Sequence, residues 1–177
     1  DETDVFVTVA PILLDDVLLV THNGYALRFN IEEVPVIGAK AAGVKAINLK
    51  GDDVVVSAFI ENKKSIFILT QRGSLKRMSV NDLPQAKRAG RGLQVLRELK
   101  AKPHRVFLAG PVFAENGGAE LDLFATEVEE KQQILQVQSQ TGQVDEVNLT
   151  NLSLSERTSN GSFISDSISD QGVFSAR

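Results

Sequence analysis

The sequence predicts an all-β protein built from tandem propeller-like blades, a β-pinwheel, and three observations predict it. The chain repeats itself three times. Its apolar runs are short and separated by Gly-bearing turns. The 3.6-residue period of an amphipathic helix is almost absent, and a repeat of roughly 50 residues built from strands is the signature of blades. The competing architecture is a two-sheet sandwich whose strands resemble one another by accident.

The elements follow in order. Glu2, Asp4, Phe6 and Thr8 open the first copy and recur as Glu120, Asp122, Phe124 and Thr126. The run Val17-Leu18-Leu19-Val20 is apolar without alternation, so a strand there is covered on both faces. Asn23-Gly24 is a hairpin signal, because a two-residue turn wants positive φ. Val20 to Arg28 lines up with Leu69 to Arg77 at an offset of 49, which makes Ile66-Phe67-Ile68-Leu69 the matching strand and Gly73 the matching turn. Ala42-Gly43-Val44 lines up with Arg91-Gly92-Leu93 at the same offset. A further displacement of 69 carries Gly73 to Gly142 and Gly92 to Gly161, with the extra residues assigned to a turn-rich loop around Pro111 to Ala119. Repeats at about 2–50, 51–110 and 120–177 form one domain or part of one, with one small sheet expected per repeat.

Composition narrows the function. The 177 residues contain no Cys, two His and no Trp, which leaves no thiolate nucleophile and little from which to build a metal centre. No cofactor is expected. No apolar run approaches the roughly 20 residues of a membrane span, and the acidic start is unlike a signal peptide, so a cytoplasmic protein is expected. His22, His104 and Tyr25 have no sequence partners that suggest a catalytic set. The acid pairs Asp15-Asp16 and Asp52-Asp53 point to opposite faces of any strand.

Charge is distributed unevenly. Residues 1–62 hold four cations against ten acids, residues 63–105 twelve against two, and residues 106–177 three against eleven. Twelve cations so concentrated repel one another unless an anionic partner offsets them. The loop Gln85-Ala86-Lys87-Arg88-Ala89-Gly90-Arg91-Gly92 combines three cations with small residues, which suits phosphate contact and close passage of a duplex. Arg72, Lys76 and Arg77 of the second hairpin are expected on the same rim, with Arg28, Lys40 and Lys45 assisting from the first repeat and Arg97 completing the DNA-binding set. The third repeat carries Asp145 and Glu146 where the second has Lys76 and Arg77, so it is expected to face away from phosphate. The alternative is a propeller that docks acidic protein partners, against which stand the few aromatic anchors.

These residues also resemble a known family. Thr70 to Arg77 is similar to the Thr-x-x-Gly-x-x-Lys-Arg blade signature of the C-terminal domains of type IIA topoisomerase A subunits. The segment Ala86 to Gly92 is similar to the Gln-Arg-Arg-Gly-Gly-Lys-Gly box of gyrase, from which it departs at Ala86 and Ala89. Ile37 to Lys50, Leu96 to Lys100 and Pro103 to Val106 resemble the matching stretches of the topoisomerase IV A subunits of Gram-positive bacteria. The resemblance implies a β-pinwheel that binds and bends double-stranded DNA at a basic rim and has no catalysis of its own. It implies as partners the remainder of the topoisomerase IV A subunit, together with the ATPase (B) subunit, in a heterotetramer. The degraded box favours the topoisomerase IV branch, acting in decatenation and supercoil relaxation at the nucleoid, over the DNA-wrapping gyrase branch.

Overall fold

The computed structural model describes residues 7–8, 16–61, 64–113 and 132–165. The matched acidic openings at residues 2–6 and 120–126, and most of the extra loop at 114–119, lie outside the described residues.

Ten strands are described: β1 Asp16–Thr21, β2 Tyr25–Asn30, β3 Val55–Glu61, β4 Ser65–Thr70, β5 Ser74–Ser79, β6 Leu93–Gln94, β7 Val106–Val112, β8 Ile134–Gln138, β9 Val144–Asn148 and β10 Ser162–Phe163. They form antiparallel sheets in the orders β3-β1-β2-β6, β7-β4-β5-β10 and β8-β9. The hairpins turn where the glycines predict, with φ of 82° at Gly24, 77° at Gly73 and 86° at Gly142.

Unbroken apolar runs have the expected cause. Leu18 and Val20 of β1 meet Ile66 and Ile68 of β4 in one core, together with Met78, Val95 and Val106. The residues between them face the other way: Leu19 joins Leu27, Phe29 and Ile47, while Phe67 and Leu69 join Leu135, Val137 and Leu149 of the third repeat. The first two sheets are therefore buried on both faces, the first by the second sheet and by Ile47, the second by the first sheet and by the third repeat.

One expectation fails in an informative way. The sheets are not made one per repeat, because the first two are each completed by a short strand from the next repeat. Strand β6 of the second repeat pairs with β2 of the first, with Ala26 opposite Leu93. In the same register β10 of the third repeat pairs with β5 of the second, with Leu75 opposite Ser162. The hydrogen bonds repeat as well. The Ala86 amide donates to Arg28 O and the Ser155 amide to Arg77 O, while Val95 donates to Gly24 O and Ile164 to Gly73 O. The exchanged strand passes so close that a Cβ on Gly92 would lie 2.4 Å from Ala26 O, and one on Gly161 would lie 2.4 Å from Leu75 O. Glycine is required there by contact as well as by a left-handed φ.

Candidate nucleic-acid interface

The basic loop 85–92 leaves the 3-10 turn Val80–Asp82 and crosses onto the first repeat before ending in β6. Its fastening there is extensive. Arg88 donates through its amide to Glu33 Oε2, through Nε to Glu33 O and through its guanidinium to Lys45 O. The Ala89 amide donates to Ala46 O, and the Asn48 amide donates to Gly90 O. Arg91 lies 4.1 Å over the ring of Tyr25. The loop and the segment 33–48 thus form one platform. Lys40, Lys45 and Lys87 are exposed on it and Arg91 is half-exposed. Lys45 Nζ donates to Asn48 Oδ1.

The hairpin cations are used elsewhere. Lys76 is 2% exposed. Its ammonium donates to Val95 O, to Arg157 O at 2.6 Å and to Ser159 O at 2.9 Å. Burial, and to a lesser degree Arg157, lowers its pKa to about 7, against a smaller opposing effect of Asp82. It therefore bolts the third-repeat loop onto β5 and presents nothing to a surface rim. Arg28 pairs with Asp16 at 2.6 Å and reaches Val80 O and Leu83 O. Arg77 makes the same clamp one blade further on, from Nε to Ser65 Oγ and from its guanidinium to Thr150 O and Leu152 O. Arg72 donates to Lys102 O, sits 3.0 Å from His104 Nε2 and lies over Phe163 at 5.4 Å. The expected second cluster at one rim is thus an inter-blade framework, because long cationic side chains beside a blade junction find unpaired carbonyls there.

Arg97 is exposed, and its amide donates to Asn160 Oδ1. One group escaped the sequence reading. Arg157 sits at the third-repeat position equivalent to Arg88 and donates to Gln94 O as Arg88 does to Lys45 O; the offset of 69 carries that signal. His104 is buried between Thr70, Ser74 and Arg72, where burial and then the Arg72 charge lower its pKa. Asp53, at the corresponding place beside the first sheet, accepts from the Asn23 amide at 2.8 Å. His22 Nδ1 lies 3.2 Å from Val106 O. Among the described residues no group of three or more metal-ligating side chains comes together, and no helix is long and apolar enough to cross a membrane.

Strand-exchanged blades with a cationic loop laid across a blade junction define a propeller-type repeat domain with a basic face. The chain belongs to the DNA gyrase C-terminal domain, beta-propeller family, which it matches over residues 15–60 and 64–112. It is 66% identical to the A subunit of DNA topoisomerase 4 from Streptococcus pneumoniae over 176 residues, 99% of this chain and 21% of that protein. It is 42% identical to the Bacillus subtilis protein of the same name, over 85% of this chain and 17% of the other. A solved C-terminal domain of DNA topoisomerase IV superimposes with a TM-score of 0.73 at 36% identity, over 86% of this chain and 43% of that one. The chain therefore spans about a fifth of the length of the curated relatives it matches.

Proposed function

We propose that this chain is a duplex-DNA-binding and DNA-bending module of a topoisomerase IV A subunit, without catalysis of its own. The observation that carries the reading is the fastening of loop 85–92 to segment 33–48, which joins the loop that carries Lys87 and Arg91 to the segment that carries Lys40 and Lys45. Flexible ammonium groups on a rigid backbone platform contact phosphates without reading bases, so sequence preference is weak. Arg88 supports the platform, and Arg97 extends it toward the second blade. Arg28, Arg72, Lys76 and Arg77 hold the scaffold.

In the whole enzyme the module presents a DNA segment to the strand-passage core, in partnership with the remainder of the A subunit, with the ATPase (B) subunit completing the assembly, for decatenation and relaxation in the cytoplasm. The similarity to topoisomerase IV subunits supports this placement over a gyrase-type wrapping role. The test is a fluorescence-anisotropy titration with a plain duplex. Lys40→Glu with Lys87→Glu should weaken binding at least tenfold, while Lys64→Glu, exposed just before β4, should leave it unchanged. Equal losses from both would overturn the platform.

A further inference from the structure

The two blade junctions differ at one buried position. On β5, Lys76 reaches beneath the docked loop to Val95 O, Arg157 O and Ser159 O and occupies the space between loop and strand. On β2 the equivalent residue is Leu27, which is shorter and has no donor. Its Cδ1 stops where a Cβ on Gly90 would lie 3.6 Å away, and a cavity of about 270 Å³ separates β2 from loop 85–92. The cavity is no cut edge of the fold. The groups that enclose Lys76 have their counterparts within the described residues: Ala46 for Val95, Arg88 for Arg157 and Gly90 for Ser159. Ala46 O and Gly90 O already accept the Ala89 and Asn48 amides across the junction.

The chemistry of the lining is two-sided. Leu27, Leu83, Pro84 and Leu93 supply an apolar wall, and Lys87 and Arg91 supply positive charge. Arg28 also lines the cavity, but Asp16 offsets it in an ion pair at 2.6 Å. We propose that this cavity binds a small flat anion, an aromatic ring system bearing a carboxylate, with its rings against Leu27 and Leu93 and its carboxylate on Lys87 and Arg91. The volume falls just below the roughly 300–1,000 Å³ of drug-sized sites, which limits the body to about one or two rings. An apolar wall favours a hydrocarbon ring over a nucleobase, whose edge donors and acceptors would go unpaired against it. Arg91 already lies 4.1 Å over Tyr25, and a guanidinium held in this way is preorganised for a carboxylate. The site goes beyond duplex binding and is measured without DNA.

Amide NMR spectra of the 177-residue chain, titrated with naphthoate, test this. The Leu27, Gly90 and Leu93 resonances should shift to saturation, and those of the third repeat should stay in place. Naphthalenemethanol keeps the rings without the charge and should bind about fivefold more weakly. Leu27→Lys gives β2 the side chain that occupies the other junction and should abolish the naphthoate shifts. Should that buried lysine unfold the chain, Leu93→Thr decides: Leu93 is 40% exposed, threonine keeps the strand propensity, and the lost apolar wall should weaken naphthoate binding at least about threefold. Shifts that never saturate, that spread to the third repeat or that survive Leu27→Lys overturn the proposal. Equal affinity for the alcohol, or tighter binding of adenosine monophosphate than of naphthoate, overturns it as well.

Discussion

Lys76 and Lys87 belong to the same basic stretch, but their surroundings divide them. Lys87 projects from a loop into solvent, whereas Lys76 is enclosed by backbone carbonyls. Reversing Lys87 should therefore weaken duplex binding with little change in stability. Arg77→Glu should do the opposite, removing charge-assisted hydrogen bonds at a buried junction and costing about 2–4 kcal/mol of unfolding free energy, measured in urea. Titration separates the two classes further. Lys76 has a pKa near 7 when folded and about 10.4 when unfolded, so the unfolded chain binds more protons between these values and stability rises with pH across that window. Lys76→Met should remove this rise, and a wild-type stability that falls from pH 7 to pH 9 relative to the variant would refute it. His104 acts in the same sense at lower pH: its folded pKa lies below the ordinary value, so protonation below about 6.5 destabilises the fold. The sequence could show that these cations were concentrated, but not which of them met carbonyls, because that depends on a loop arriving from 80 residues away.

At the scale of elements, blade identity rests on glycine. Gly92 and Gly161 share a left-handed φ with Gly142, but the first two also face a carbonyl oxygen of the neighbouring blade, whereas Gly142 faces open space. Gly142→Ala should cost about 1–2 kcal/mol, the penalty for positive φ. Gly161→Ala should cost clearly more, because the exchanged strand must also move outward, and thermal unfolding of the pair measures the difference. Equal losses would mean that strand exchange contributes nothing beyond turn geometry. The repeat register, the hairpin turns and the two-sided burial of β1 and β4 were legible in the sequence, since apolar runs and Gly-bearing turns act locally. The exchange was not. Leu93-Gln94 is too short for any periodicity, and sheet membership is decided by which carbonyl row it meets.

For the whole molecule, a net charge of −4 conceals a division of labour that salt dependence can read. Were all twelve cations of residues 63–105 engaged with phosphate, the log-log slope of affinity against salt would approach about −11. The structure removes Lys76 and Arg77 into blade junctions and ties Arg72 and Arg88 to backbone carbonyls. Of that stretch Lys87 and Arg91 lie on the platform, where Lys40 and Lys45 of the first repeat join them, and four phosphate contacts correspond to a slope of about −3.6, roughly a 150-fold loss of affinity between 50 and 200 mM salt. Each lysine reversed on the platform should make the slope shallower by about one, whereas the third repeat, with Glu146 held by Gln136 at 2.6 Å, should be silent. A slope shallower than about −2 in the wild-type chain would mean that the platform does not grip the duplex as a unit. A slope steeper than about −6 would extend the contact along residues 97–105, where Arg97, Lys100 and Lys102 are exposed.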